Sequence, residues 1–461
     1  MFIRFSFVGR SSNDGNAARA SVSPGRSIES KAFASDGMMS GRFLVSRNLQ
    51  TASLVSDSTT ASAACESNPT LALHRSLPHG TRVRARYATM AVFFIAGMMY
   101  ASWGVHVPTV RDKFALSPGM LSFALLAVAG GSIFAMLTAG PWIARAGTRT
   151  ACLAGGITMM ICGSLILVTP AFWLLLIVLA IFGFGMATLD VAMNAEASAV
   201  EQALSRPIMS SLHGMFSIGG MAGAAVGGAL LAHGLSPAAH LALASGISLV
   251  VLLVSMPAVL PHVPHHDEHA KASSSNRWRS GALWALGGLA LIALIAEGAM
   301  YDWATVYMRD IVEATPSVSS AAYAAFSGGM AAGRFGGDAV RARFGAPQLI
   351  FGSAGLAFIG MVMALVLPNT IVTMTGFTLM GLGLANMMPV LFAAAARVEG
   401  VTPAEGLAQV AGLAYFGLLL GPVLIGGVAQ ISTLPIGLCV VAACCLVITV
   451  IGPRILKRWK I

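Results

Sequence analysis

Residues 130–147 read GGSIFAMLTAGPWIARAG, and residues 328–345, lying 198 positions later, read GGMAAGRFGGDAVRARFG. Both stretches begin with Gly-Gly and end with Arg-x-Gly. The same offset relates further motifs of the chain. Arg111-Asp112 recurs as Arg309-Asp310, and Gly183-x-Gly185 recurs as Gly381-x-Gly383. The glycines at 214, 219, 223 and 228 recur at 412, 417, 421 and 426. A constant offset of this kind indicates a duplicated half. It predicts that the functional site lies where the two halves face each other.

The composition is that of a membrane protein. Of the 461 residues, 56% are apolar and 10% are charged, whereas soluble domains carry roughly 25% charged residues. More than half of the net charge of +10 comes from residues 1–86. Because the apolar remainder has no basic stripe with interleaved aromatic residues, we do not expect nucleic acid as a partner. We expect the lipid bilayer instead.

Twelve apolar runs, separated by short polar segments, follow one another from Tyr87 onward. A helix of about twenty residues spans a hydrocarbon core of roughly 30 Å, and the runs lack the alternation of membrane β-strands. We therefore predict an all-α membrane protein with twelve transmembrane helices in two parallel six-helix repeats. The predicted spans cover residues 87–107, 119–140, 150–169, 172–196, 208–232, 239–260, 281–307, 319–340, 347–367, 370–393, 405–429 and 434–453.

These spans divide the chain into five parts. Residues 87–260 are the N-terminal six-helix half, 261–280 a cytoplasmic linker, 281–453 the C-terminal half and 454–461 a basic cytoplasmic tail. Residues 1–86 are rich in Ser, Ala and Arg and lack an apolar period, which predicts a disordered tail. A targeting segment and an over-long gene model are the alternatives for this tail.

The basic residues predict the orientation in the membrane. Sixteen Lys and Arg residues lie on the side of both termini, against Arg111, Lys113 and Arg309 on the other side. Basic loops are retained in the cytoplasm. We therefore expect both termini and the linker to be cytoplasmic, and the protein to be a multi-pass protein of the cell (inner) membrane.

The segment after the second span resembles the loop signature of the major facilitator superfamily. Ala144 stands where that signature has an aspartate. The resemblance covers residues 87 to about 453. It implies the twelve-helix facilitator fold and a secondary transporter that works by alternating access. The residues that match the signature in the two halves are Gly140, Arg145, Gly147, Arg149, Arg343 and Gly345.

A closer resemblance is to bacterial inner-membrane facilitators near the fucose-permease branch. Fucose-permease-like proteins are proton–sugar symporters with an acidic residue in the fourth helix, four residues before an asparagine. Asp190 and Asn194 match this arrangement, whereas the second acid of those proteins, in the first helix, has no counterpart here. The stretches that carry the resemblance are Ala101-Ser102-Trp103, Leu189-Asp190-Val191-Ala192-Met193-Asn194, His213-Gly214-x-Phe216-Ser217 and Glu297-Gly298-x-x-x-Asp302-Trp303.

Asp190 and Glu297 are the candidates for proton coupling. An ionisable side chain at membrane depth costs roughly 2.5–3.5 kcal/mol unless it faces a cavity or a partner. A carboxylate that loses water as a cavity closes can take up a proton and release it again when the cavity is wetted. For Asp190, local pairing with Arg206 is the alternative. The two halves differ at these positions, since Asp190 aligns with Met388 and Glu297 with Met99.

Six further residues are candidates for the wall of a substrate cavity. Tyr301 lies one helical turn after Glu297 and aligns with Trp103 of the first half. Aromatic faces beside an acid suit a small polar ligand, although an aromatic packing cluster at the membrane interface gives the same pattern. Arg334 and Asp338, four residues apart, are expected to form a structural ion pair. The six candidates are Trp103, Asn194, Tyr301, Asp302, Asn386 and Tyr415.

Catalytic, metal and cofactor sites are not expected. The six cysteines show no paired spacing, and the spans contain no nucleophile–base pair. The chain has no P-loop pattern, which excludes ATP as an energy source through such a loop. Four histidines lie between residues 262 and 269, among prolines, and this composition favours a solvated linker over a metal site.

We therefore predict a secondary active transporter rather than an enzyme, and expect it to be a monomer. It moves a small polar solute, with sugars and sugar derivatives as candidates, by proton-coupled symport. Two alternatives stay open. One is proton-coupled efflux of drugs or toxic compounds, because Gly219-x-x-x-Gly223 resembles a motif of drug–proton antiporters, although close helix packing explains the same glycines. The other is a non-transporting facilitator fold that serves as a sensor or scaffold.

Overall fold

The computed structural model describes residues 69–206, 208–261 and 280–459. Within these residues the chain forms a short helix at Pro69–Ser76 and then twelve long helices. Residues 1–68, and with them most of the predicted tail, lie outside the described residues, as does the histidine-containing part of the linker, 262–279. The twelve long helices are α1 His79–Lys113, α2 Pro118–Ala146, α3 Thr148–Leu165, α4 Phe172–Leu204, α5 Met209–Ala232, α6 Pro237–Ser255, α7 Gly281–Asp310, α8 Pro316–Arg343, α9 Ala346–Val366, α10 Thr370–Leu384 with Met387–Ala395, α11 Pro403–Ile431 and α12 Leu434–Arg458.

The predicted fold class is confirmed. In the described part of the chain, ten of the long helices have the length and apolar composition to cross a membrane. The other two are α3 and α8. Under the 198-residue repeat α3 corresponds to α9 and α8 corresponds to α2, and α9 and α2 are both among the ten. Large apolar side chains face outward, such as Leu137, Ile371 and Ile431, which are 76%, 78% and 86% exposed. Such an apolar exterior suits a lipid environment.

Two helix ends differ from the predicted boundaries. Helix α1 begins at His79, eight residues before Tyr87, where the first span was predicted to begin, and the short helix at Pro69–Ser76 precedes it. The basic residues of this first part lower the hydropathy without breaking the helix, and Arg82 donates to the carbonyl oxygen of Ala203 at 2.8 Å. Helix α12 continues to Arg458, so most of the predicted basic tail is helical.

Capping residues define several helix starts. Ser117 accepts a hydrogen bond from the backbone N–H of Met120, and Pro118 occupies the first helical position of α2. This combination satisfies N–H groups that a helix start leaves without partners. Equivalent side-chain caps begin α6, α7, α10 and α11 at Ser236, Ser280, Asn369 and Thr402.

The two halves pack their helices in the same way. In the N-terminal half α1 packs on α5, α2 on α4, and α3 on α4; in the C-terminal half α7 packs on α11, α8 on α10, and α9 on α10. Gly131 and Gly183 let α2 and α4 touch at the backbone, because a methyl group on either would overlap a carbonyl oxygen of the other helix. Their counterparts Gly329 and Gly381 do the same between α8 and α10. The duplicated glycines therefore preserve one helix contact in both halves.

The halves meet along two symmetry-related seams. Helix α5 packs along α8, and α11 packs along α2. Because α5 corresponds to α11 and α8 to α2, the repeat exchanges the two seams. We call the end of the bundle that carries the linker and the α2–α3 and α8–α9 connections the linker end. The opposite end, with the α1–α2 and α7–α8 loops, is called the clamp end.

The signature residues lie at the linker end. Gly147 alone separates α2 from α3, with φ of +85°, a left-handed conformation that glycine adopts without strain. Its N–H donates to the carbonyl oxygen of Ile143 at 2.8 Å. Gly345 has φ of −64° and instead precedes α9. Gly140 lies inside α2 with open space beside it, and the side chains of Arg145, Arg149 and Arg343 are exposed.

Candidate functional site

A cavity of about 370 Å³ lies between the halves and extends toward the linker end. Helix α5 supplies its wall from the N-terminal half, and α7 to α11 supply the rest. Met209, Leu349 and Phe392 line it within about a turn of the linker-end termini of their helices. The remaining lining residues are Ser210, His213, Leu294, Glu297, Arg334, Gly337, Leu384, Ala385, Asn386, Met388, Pro389, Val390, Ala414 and Tyr415.

An ion pair between Glu297 and Arg334 forms the charged part of this wall. Nη2 of Arg334 on α8 lies 3.2 Å from Oε1 of Glu297 on α7, and the two side chains are 15% and 16% exposed. The other end of the guanidinium group reaches the N-terminal half. There Nη1 donates to Oγ of Ser217 at 2.6 Å and to the carbonyl oxygen of His213 at 3.4 Å. Arg334 therefore connects the two halves through the cavity wall.

The burial of this pair makes each partner dependent on the other. Two charges taken out of water regain their desolvation cost only through mutual attraction and further hydrogen bonds. Removal of one partner leaves an uncompensated charge at membrane depth. The pair is therefore favourable only while both partners carry their charges.

Asp190 occupies a smaller cavity of about 60 Å³ beside the first. Its carboxylate accepts a hydrogen bond from Nδ2 of Asn194 at 3.1 Å, and Asn194 also donates to the Asp190 carbonyl oxygen at 2.9 Å. Among the described residues, no cation contacts Asp190. Tyr415 of α11 lines both cavities, so it lies between Asp190 in one half and Glu297 in the other.

The structure brings part of the predicted set together. Glu297, Asn386 and Tyr415 line the main cavity, and Asp190 and Asn194 lie beside it. Asn386 sits at the interruption of α10 and packs against Gly337, where a side chain on α8 would collide with it. A glycine on α8 thus lets the amide approach the cavity.

Three other candidates lie away from the cavity wall. Trp103 is 1% exposed and packs against Phe182 inside the N-terminal half. Tyr301 contacts Tyr100, Tyr323 and Phe326 in a cluster of rings next to Glu297, on its clamp-end side. Tyr301 does not line the cavity, but its hydroxyl group is hydrogen-bonded to Glu297 and Arg334 from the clamp-end side.

Asp302 is also buried on the clamp-end side of Glu297. Its side chain is 8% exposed and lies near Tyr100 and Tyr323. It does not line the main cavity. No ion pair with Asp302 occurs within residues 69–206, 208–261 and 280–459.

The clamp end is held by two reciprocal ion pairs between the halves. Arg111 on α1 pairs with Asp310 on α7, and Arg309 on α7 pairs with Asp112 on α1. We call these four residues the clamp. Arg111 also contacts Asp112 of its own helix at 3.1 Å. Since the clamp closes one end and the cavity extends toward the other, the molecule is in a state open at the linker end.

Sequence reasoning did not assign Arg334 to the cavity. Its contacts with Glu297 and Ser217 join it to residues 37 and 117 positions away along the chain. The side chain of Asp338, its predicted partner, is outside the described set. The sequence does contain one indication of its role, which is that Arg334 lies inside a predicted span. A charged side chain at membrane depth is costly without a partner, and this argument applies to Arg334 as it does to Asp190.

A sequence profile described as Major Facilitator Superfamily matches residues 89–426. An uncharacterized MFS-type transporter of Yersinia pestis is 32% identical over 357 residues, which are 77% of this chain and 91% of that protein. The membrane protein MosC of Rhizobium meliloti is 32% identical over 338 residues, which are 73% of this chain and 82% of that protein.

Solved structures share the fold. A mutant of the nucleoside transporter NupG superposes with a TM-score of 0.65 at 12% identity, over 81% of this chain and 99% of that one. FucP, a superfamily transporter solved in the outward conformation, gives a TM-score of 0.56 at 16% identity over 81% and 99%. At such identities the likeness concerns the fold alone. The profile and the relatives show that this chain belongs to the major facilitator superfamily and is a multi-pass membrane transporter.

Proposed function

We propose that the protein is a proton-coupled symporter of a small polar solute, and that Asp190 and Glu297 exchange protons with the cavity. The observation that carries this proposal is the position of the two acids. Asp190 in α4 and Glu297 in α7 border adjoining cavities and share Tyr415 as a common neighbour. Protonation at either acid therefore alters the charge at the boundary between the halves, where alternating access requires movement.

Asp190 is the better proton carrier of the two. Its one described side-chain partner is the neutral amide of Asn194. A carboxylate without a cation in a small, mostly apolar cavity is expensive to keep charged, and a proton removes that expense. Glu297 differs because Arg334 compensates its charge. Its protonation has to involve a change in the position or partner of Arg334.

The cavity supports a small solute. A volume of about 370 Å³ lies at the lower end of the range for small-molecule sites, roughly 300–1,000 Å³. Its wall combines apolar groups with Asn386, Tyr415 and the ion pair, a mixture that fixes a polar molecule by a few hydrogen bonds. Sugars and their derivatives belong to this class.

We further propose that the protein lies in the cell (inner) membrane with its linker end facing the cytoplasm. The exposed arginines Arg145, Arg149, Arg343 and Arg397 are at this end. Basic side chains near membrane spans favour the cytoplasmic side. In this orientation the observed state is open to the cytoplasm, and the clamp closes the outer side.

Proton movement in proteoliposomes tests the proposal. A thermal-shift screen of sugars, sugar acids and amphipathic drugs first identifies compounds that stabilise the purified protein. Each stabilising compound is then added outside proteoliposomes that contain a trapped pH-sensitive dye, with protein-free liposomes as the control. Symport predicts acidification of the lumen, because solute and proton enter together. Alkalinisation of the lumen would indicate antiport, as an efflux protein shows, and uptake without a pH change would exclude proton coupling.

A further inference from the structure

Arg334 is the only lysine or arginine among the described residues that line the main cavity. Glu297 touches it through one oxygen, at 3.2 Å from Nη2. The Nη1 group is occupied by Ser217 and the His213 carbonyl oxygen. Arg334 is also hydrogen-bonded to Tyr301. A guanidinium group offers five N–H donors, so these four contacts leave one donor, and loss of the Glu297 contact frees a second.

We propose that the transported solute carries a carboxylate, and that Arg334 binds this group when a proton on Glu297 releases the arginine. This inference rests on the proposed symport function and adds the chemical class of the solute. The planar fork of an arginine matches a carboxylate with two parallel hydrogen bonds. Once Glu297 no longer accepts from Arg334, two donors are available for such a two-point arrangement.

Charge balance supports a carboxylate over a neutral solute. With Glu297 ionised and Arg334 charged, the pair has no net charge. A proton on Glu297 alone leaves Arg334 as an uncompensated cation, and a carboxylate ligand alone leaves one excess negative charge. Either state becomes costly when the cavity closes and the site loses its water. Entry of one proton together with one monoanion restores neutrality, so the site favours both or neither. A neutral sugar provides no such compensation.

Other ionisable groups face Glu297 and do not replace Arg334. They come from α1, α5, α7, α8 and α11. The tyrosines stay neutral between pH 5.5 and pH 7.5, the histidine can gain a proton in this range, and an arginine stays charged throughout. The groups are Tyr100, His213, Tyr301, Tyr323 and Tyr415.

The test uses Glu297→Gln, which mimics the protonated acid and leaves Arg334 without its carboxylate. Thermal unfolding of the purified variant is measured with three matched pairs of probes: acetate and acetamide, lactate and propane-1,2-diol, glucuronate and glucose. Ionic strength is held constant with sodium chloride. We expect at least one carboxylate to raise the unfolding temperature above the effect of its neutral partner. Its apparent Kd should be at least tenfold lower than for the wild type at pH 7.5.

Two further variants assign the effect to Arg334. In Glu297→Gln/Arg334→Gln the preference for the carboxylate should disappear. In Glu297→Gln/Arg397→Gln, which removes an exposed arginine instead, it should persist. The proposal is overturned if no carboxylate exceeds its neutral partner, or if the Arg334→Gln double variant keeps the preference.

If Glu297→Gln does not fold, the wild type provides the test. Carboxylate affinity should rise at least tenfold between pH 7.5 and pH 5.5 as Glu297 takes up its proton. The rise should persist in His213→Asn, which removes the imidazole that lines the same cavity and ordinarily titrates in this range. An affinity that stays constant or falls contradicts the proposal. A neutral sugar that drives proton uptake into proteoliposomes would refute the carboxylate assignment and leave the symport function standing. Failure of all compounds to move protons would refute the symport function itself.

Discussion

Arg111 of the N-terminal half pairs with Asp310 of the C-terminal half, and the repeat converts this pair into the one between Arg309 and Asp112. The clamp therefore consists of two copies of a single interaction. It lies at the end of the molecule opposite the opening of the cavity. Any state open at the clamp end has to break both pairs at once.

Loss of one clamp pair should increase opening at the clamp end. The side chains of the clamp are 21–41% exposed, so we expect each pair to contribute about 1 kcal/mol, which is roughly a fivefold change in the ratio of two states. Ser320, which is 1% exposed and faces Gly228 across the α5–α8 seam, reports the opening. In a chain whose native cysteines are replaced by alanine, Ser320→Cys should react with a maleimide about five times faster after Arg111→Ala.

A charge exchange provides the control for the clamp. Arg111→Asp combined with Asp310→Arg should restore slow labelling of Ser320→Cys. Labelling of Ser432→Cys, an exposed position at the same end, should not respond to any clamp variant. Equal labelling of Ser320→Cys with and without the clamp would show that the ion pairs do not hold this end closed.

Removal of Glu297 should destabilise the protein more than removal of Arg334. Glu297→Gln leaves a guanidinium group that stays charged, whereas in Arg334→Gln the remaining carboxylic acid can take up a proton. We expect Glu297→Gln to lower the free energy of unfolding by about 3 kcal/mol. The double variant Glu297→Gln/Arg334→Gln should recover most of this loss. Unfolding of all four proteins in one detergent gives the interaction energy of the pair; a double variant weaker than Glu297→Gln would contradict this account.

Gly130 and Gly131 form a matched pair for the helix contacts. A methyl group at Gly131 would overlap the carbonyl oxygen of Ala180, whereas Gly130 has open space. Gly131→Ala should therefore cost about 1–3 kcal/mol through overpacking. Gly130→Ala should be neutral or slightly stabilising, because alanine favours a helix by up to about 1 kcal/mol over glycine. Thermal unfolding of both variants measures the difference. Equal stability would show that the close backbone contact at Gly131 does not require a glycine.

Asp190→Asn should separate solute exchange from accumulation. The amide oxygen of the new side chain still accepts the hydrogen bond of Asn194, so the local geometry is preserved, but it carries no proton between the two sides. Exchange of labelled for unlabelled solute should continue in proteoliposomes, while accumulation driven by a pH gradient should be lost. Glu201→Gln is the control, because Glu201 accepts hydrogen bonds from Ile208 and Met209 at the linker end. Accumulation by Asp190→Asn would remove Asp190 from the coupling mechanism.

The fold could be predicted because each transmembrane helix is a local property of length and apolar composition. The repeat added the relation between the halves, in which α3 corresponds to α9 and α8 to α2. Helix ends were less predictable. The basic residues before Tyr87 resemble a polar tail, yet the backbone of α1 continues through them from His79.

The site was only partly predictable because rotation of a helix about its axis depends on its neighbours. Asn386 and Tyr415 face the main cavity, whereas Trp103 and Tyr301 face other rings. Asp338 follows Arg334 by four residues and was therefore the predicted partner. The observed partner is Glu297 on another helix. Such pairings between distant parts of the chain leave no periodic trace in a single sequence.

The symmetry of the clamp has an evolutionary consequence. Two copies of one six-helix half, associated about the same axis as an isologous homodimer, would carry both ion pairs without any further change. Closure of this end therefore requires nothing beyond the association of two identical halves. Glu297 and Arg334 are different, because their counterparts in the first half are Met99 and Met136. A homodimer cannot place an acid on one side only, so a charged site of this kind requires two halves that differ in sequence.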